Sequence, residues 1–235
     1  MAEQFKNKNI LIIGANGGIG GEIAKRVLAD GGTVYAAGRT RPDLDLEFAA
    51  WDATKPDDAA FANLPDLLHG FVYCAGTINL KPFGRFSLED FESDYKINVL
   101  GAVAALQPNI NRLKKAKKSG VVFFSTVAAN TGLSFHTSIA TAKSALQGLS
   151  LALASEYAAA GIRFNVVAPS LTDTPLAENL LSTEEKREAS AKRHPMGRFG
   201  SASDMAAAAT FLLSDEAGWI TGQILGIDGG LGKLK

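Results

Sequence analysis

The stretch Ile13-Gly14-Ala15-Asn16-Gly17-Gly18-Ile19-Gly20 places three glycines between an apolar run at 10–13 and an Ala-rich amphipathic stretch at 19–29, with a fourth, Gly20, at the start of that stretch. An apolar run that halts at glycine reads as a buried strand, and the recurrence of apolar residues after it reads as a helix. Glycines at such a junction permit a tight turn and let the backbone approach a ligand closely. The first N–H groups of the helix have no intrahelical acceptor, so they present partial positive charge to an anion such as a diphosphate. The same glycines also suit a tight turn that binds nothing.

That strand-to-helix step recurs along the chain. Five more short apolar runs follow at 33–37, 71–74, 121–124, 163–168 and 223–227, and helical stretches lie at 140–159 and 204–213. Near-continuous apolar character predicts strands covered on both faces, as in a parallel sheet. Strand and helix in turn, joined by short loops, predict a doubly wound α/β architecture of Rossmann type, with 1–235 as a single nucleotide-binding domain. Between the strand ending near Gly38 and the turn at Asp52 there is little room for a full crossover helix, and 42–47 is read as an extended link. With 46% hydrophobic residues, the chain can bury a core without disulfides or metal.

Charge narrows the partners. Twenty-four basic and 24 acidic residues cancel, which gives no electrostatic case for nucleic acid or an anionic membrane. His69, His136 and His194 are scattered, and the lone Cys74 has no partner, so no metal site is expected. A single cysteine and an N-terminus that reads as neither a leader nor a membrane span suit the cytoplasm. Lys114, Lys115, Lys117 and Lys118 read as a solvated helix end that complements the dipole. The second strand run leads into Gly38-Arg39-Thr40. A site selective for NAD carries a carboxylate there for the ribose hydroxyls, whereas Arg39 suits a 2′-phosphate, which favours NADP(H). Arg39 is also compatible with a plain surface charge.

Several motifs, in order, resemble those of the short-chain dehydrogenase/reductase family. They are Gly14-x-x-x-Gly18-Ile19-Gly20, Ala75-Gly76, Lys96-Ile97-Asn98-Val99, Asn165-Val166-Val167-Ala168-Pro169-Ser170, Gly197-Arg198-Phe199-Gly200 and Ile220-Thr221-Gly222-Gln223. The group containing β-ketoacyl-carrier-protein reductases is the nearest in flavour. The resemblance implies a seven-stranded parallel sheet flanked by helices and chemistry on a small-molecule carbonyl or alcohol. It assigns the cofactor to Gly14, Asn16, Gly17, Gly18, Ile19, Gly20, Arg39, Asp52, Ala53, Cys74, Ala75, Gly76, Lys143, Pro169, Thr172 and Thr174. It assigns the reaction centre to Asn98, Thr126 and Lys143, and a flexible flap over the pocket to 171–191. The Ala-rich helix at 140–159 is similar to the family's subunit-interface helix, which implies a homotetramer or homodimer.

The chain also departs from the family. The tyrosine that exchanges a proton with substrate lies four residues before the lysine, and here that position holds Ile139. Tyr73 and Cys74 replace two asparagines ahead of Ala75-Gly76, and Ser170 replaces a glycine. None of Tyr35, Tyr73, Tyr95 and Tyr157 lies four residues before a lysine in this region, although Tyr73 ends a strand near the ligand side. His136 and Ser138 flank the vacant position and are candidates for the proton role, alongside water or the substrate itself. Two readings follow: an NADP(H)-dependent oxidoreductase with an atypical centre, or a catalytically impaired cofactor-binding partner or sensor.

Overall fold

The structure, a computed structural model, describes residues 3–234. Strand β1 (Asn9–Ile13) lies between β2 (Thr33–Gly38) and β4 (Gly70–Tyr73), parallel to both. With β3 (Glu47–Ala50), β5 (Ser119–Phe124), β6 (Ile162–Pro169) and β9 (Ile224–Ile227), the sheet has seven strands in the order β3-β2-β1-β4-β5-β6-β9. Every pairing is parallel. The chain winds one way from β1 to β3 and the other way from β4 onwards. The crevice outside the carboxyl ends of β1 and β4 is therefore the switch point where such sheets bind ligands.

Six of these strands match the apolar runs to within two residues at each end. The seventh, β3, is a correction to the sequence reading, because the extended link stops at residue 46 and Glu47 begins a strand. It is an edge strand whose four residues are at least partly exposed, so it lacks the continuous apolar run that marked the others.

Period-two alternation sends side chains to two cores. Ile10 and Ile12 of β1 face helices α1 (Gly18–Ala29) and α7 (Ala202–Leu213), meeting Ile23, Val27, Met205 and Leu213. Leu11 and Ile13 face the other side, where Phe71, Phe123 and Phe164 pack with Leu146 of α5 (Thr137–Tyr157). Full burial of each such side chain is worth about 1.5–3 kcal/mol. Covering both faces fixes the sheet's register, and with it the positions of the strand ends.

One irregularity shapes the site. Helix α2 (Leu88–Tyr95) opens with a capping box between Ser87 and Asp90, runs into a π-helical turn at Lys96–Leu100, and continues as α3 (Gly101–Leu106). In the turn the Gly101 N–H reaches back to the Lys96 carbonyl. The Ile97 carbonyl accepts instead from the Tyr73 hydroxyl at 2.6 Å. A Cβ at Gly101 would strike that hydroxyl, so a glycine is required there. The short α4 (Ile110–Lys115) carries Arg112, Lys114 and Lys115 in its last turn, where they complement the helix dipole.

Beyond β6 the chain makes an excursion over the strand ends. It comprises β7 (Thr172–Asp173), a 3₁₀ segment at Pro175–Leu181, α6 (Glu184–Arg193) and β8 (Gly200–Ser201), which pairs with β7. An ion pair between Arg187 and Asp173 at 2.7 Å ties α6 to β7. The stretch assigned to the flap is thus folded, and its helix runs on to Arg193. Among the described residues, no helix is long and apolar enough to cross a membrane.

Candidate active site

The cradle lies where β1 passes into α1. Gly14 has φ of +87°, and a Cβ there would press on the backbone of Cys74 and Ala75 at the end of β4. A Cβ at Gly20 would run into the Gly14 carbonyl oxygen. Gly17 is the N-cap of α1, no side chain caps the helix, and its first turn contains no acid. The opening N–H groups, including those of Gly18 and Ile19, therefore remain available to an anion. Thr174 closes the cradle from the excursion, with its methyl group against Gly18. Asn16 and Gly17 are exposed at its mouth.

Beside the cradle, Arg39 is exposed just past β2 and makes no hydrogen bond or ion pair among the described residues. Asp52 accepts hydrogen bonds from the Thr54 backbone N–H (2.8 Å) and hydroxyl (2.9 Å). Those bonds hold its carboxyl below the usual range, with Arg39 and Lys55 adding to the effect. Ala53 lies next to Gly101.

Across the switch point, Lys143 projects from α5 and is only 7% exposed. Its ammonium donates to the Phe124 carbonyl at 2.7 Å, and burial pulls its pKa down to about 8 from the ordinary 10.5. Asn98 sits in the π-helical turn and is fully buried. Its amide donates to the Asp94 carbonyl (2.8 Å) and the Thr77 hydroxyl (3.0 Å), while its Oδ1 is buried with no partner. A Cβ at Gly76 would fall 3.0 Å from that oxygen and 3.3 Å from the Lys143 ammonium. The orphan acceptor and the buried cation thus converge on one gap.

The hydroxyls near this gap differ in what they are free to do. Ser125 is buried, donates to the Lys143 carbonyl and accepts from Gln147. Thr126 is partly exposed, and its oxygen accepts from the Ala128 N–H, which leaves its own proton uncommitted. Ser138 is 1% exposed and donates to the Asp94 carboxylate at 2.6 Å, which also accepts from Thr77 at 2.6 Å. His136 precedes α5, with Nδ1 2.7 Å from the Ser134 carbonyl. Tyr73 is 1% exposed, and burial drives its phenol pKa well above the usual range. It is a packing residue whose hydroxyl is spent on Ile97. Burial also pushes the Cys74 thiol up to about 12, so it remains neutral. Ile139 is 5% exposed on the buried face of α5. Pro169 ends β6, and Thr172 donates to the Ser170 carbonyl at 3.1 Å.

Asp94, Thr77 and the hydrogen-bonded pair Ser170–His194 were not read as site residues from the sequence. Ser170 was visible as a departure from a motif, but its partner lies 24 residues away and only folding brings the two together.

The family pattern described as enoyl-(acyl carrier protein) reductase matches residues 14–232. The chain belongs to the short-chain dehydrogenase/reductase family. It is 30% identical to the 3-oxoacyl-[acyl-carrier-protein] reductase FabG of Thermotoga maritima, over 97% of this chain and 99% of that protein. It is 32% identical to the L-rhamnose 1-dehydrogenase (NADP(+)) of Thermoplasma acidophilum, over 97% of each. Among solved structures, the ligand-free aldohexose dehydrogenase of Thermoplasma acidophilum superposes with a TM-score of 0.89 at 28% identity, covering 98% of this chain and 95% of that one. ElxO with NADP bound superposes with a TM-score of 0.86 at 25% identity, covering 95% and 98%. Short-chain dehydrogenase/reductase relatives of this kind are oxidoreductases of carbonyl and alcohol substrates.

Proposed function

We propose that the protein is an NADP(H)-dependent oxidoreductase of a carbonyl/alcohol pair, with Ile139 standing where the family carries its proton-exchanging tyrosine. The observation that carries this reading is the gap beside Gly76, where the unpartnered Asn98 Oδ1 and the Lys143 ammonium meet. A buried acceptor without a donor is costly, by about 1–3 kcal/mol, and a ribose hydroxyl or a bridging water satisfies it. The uncapped α1 N-terminus receives the diphosphate, and Arg39 receives the 2′-phosphate. A dinucleotide therefore fits the residues present.

When bound, the nicotinamide supplies or takes up hydride. Lys143 and Asn98 hold the ribose, Thr172 and Thr174 border the cradle from the excursion, and Thr126 orients the substrate oxygen through a hydrogen bond from its uncommitted hydroxyl. Ile139 contributes only apolar surface, because it has no proton to exchange. Exposed Leu151 on α5 and exposed Ile224 and Leu225 on the open edge strand β9 support a homo-oligomer built across that side of the sheet.

Calorimetry with NADPH and NADH tests the cofactor, and tighter binding of NADPH is expected. Single-turnover oxidation of bound NADPH by aldehydes and ketones, ethyl acetoacetate among them, tests the chemistry. Ile139 favours the second reading, a cofactor-binding partner without turnover, and NADPH binding with no oxidation by any carbonyl would establish it.

A further inference from the structure

One hydroxyl of the site is backed by an ionisable group and still reaches the surface. Ser170 follows Pro169 at the carboxyl end of β6, four residues before the Thr174 that lies on the glycine turn. It is partly exposed. Its Oγ is 2.8 Å from Nε2 of His194, which directly follows α6 and is 3% exposed. The other ring nitrogen, Nδ1, is 2.7 Å from the Ser190 carbonyl. A carbonyl oxygen only accepts, so Nδ1 carries a proton and Nε2 is the nitrogen left to exchange one. The ring is further held by the backbone, since the His194 N–H bonds the Ala191 carbonyl and the His194 carbonyl takes the Gly197 N–H.

The other hydroxyls fail either on access or on resupply of the proton. Ser138 also has an ionisable group behind it, Asp94, but at 1% exposure it meets no substrate. Thr126 is accessible, but its partner is a backbone N–H, which cannot resupply a proton it gives away.

We infer that Ser170 and His194 form the proton relay of this site, with Ser170 exchanging a proton with the substrate oxygen and His194 Nε2 exchanging one with Ser170. The inference rests on the redox reading above. In the reducing direction the carbonyl carbon accepts hydride from a dihydronicotinamide, and the C=O π pair moves to oxygen. The oxygen takes the Ser170 proton, Ser170 takes the Nε2 proton of a protonated His194, and neutral imidazole remains. Oxidation runs the same steps backwards, with neutral Nε2 as the base. Ser170 is thus a catalytic residue and His194 the group behind it, oriented by Ser190. Positioned acid–base groups contribute about 10²–10⁴-fold to rate.

The test compares wild type, Ser170→Ala and Ser170→Thr, with ¹⁵N-histidine NMR of each and ethyl acetoacetate as the carbonyl probe. The expected spectrum shows a proton held on His194 Nδ1, with Nε2 as the nitrogen that gains and loses one and whose signal moves in Ser170→Ala. The expected kinetics are a loss of about 100-fold in kcat for Ser170→Ala, recovered largely in Ser170→Thr. KM, NADPH affinity and Tm should stay unchanged, which a merely structural serine would not leave so. Equal turnover in wild type and Ser170→Ala, or a bare Nδ1 on His194, overturns the relay and leaves the redox reading standing. NADPH binding with no reduction by the wild type overturns both.

Discussion

Lys143 gives the most direct test of how burial sets the electrostatics of this site. Its ammonium is 7% exposed, with one carbonyl as its hydrogen-bond acceptor, and its pKa falls from the ordinary 10.5 to about 8. The first cause is desolvation; Cys74 and Asp94 oppose it. The sign of the linkage follows. Below pH 8 both folded and unfolded chains hold the proton, and the cost of burying the charge is present in full. Between about pH 8 and 10.5 the unfolded chain keeps a proton that the folded chain has released, so stability rises with pH. Above that window both are neutral and the cost has gone. At about 1.4 kcal/mol per tenfold change in proton affinity, the whole effect is about 3 kcal/mol, of which about 2–3 kcal/mol is recovered between pH 7 and 10. Cys74 acts in the opposite sense, because its folded thiol holds its proton up to about 12 while the unfolded one releases it near 9.0. A Lys143→Met variant keeps Cys74, so subtracting its urea unfolding free energies from the wild type's at each pH isolates the lysine. The wild type should gain about 2–3 kcal/mol on the variant from pH 7 to pH 10. Parallel curves would refute the argument, since they would mean that Lys143 keeps an ordinary proton affinity in the folded protein.

Three further outcomes are expected. Gly20→Ala places a methyl group against the Gly14 carbonyl and should weaken NADPH binding at least about tenfold in calorimetry, with the circular dichroism spectrum retained. Tyr73→Phe strands the Ile97 carbonyl that accepts at 2.6 Å, and should cost about 1–3 kcal/mol in urea unfolding. Arg39→Ala should lower NADPH affinity about 10–100-fold while leaving NADH affinity within about twofold; an equal loss for both nucleotides would place Arg39 away from the 2′-phosphate.

What the residues alone determined was the scaffold and its cradle. Glycine turns, apolar runs and helical periodicity act between near neighbours in the chain, so the strand at Asn9–Ile13, the helix at Gly18–Ala29 and the glycine turn between them were legible directly. The half-exposed edge strand at Glu47–Ala50 was not, because its pattern is no different from that of a loop. The distribution of protons at the reaction centre was decided only by folding. Whether Tyr73, Ser138 or Ser170 can give one up depends on partners brought in from elsewhere: Ile97, 24 residues on; Asp94, 44 residues back; and His194, 24 residues on. A hydroxyl's chemistry is set by its partner and by its access to solvent. Both are properties of packing, and neither is written in local sequence.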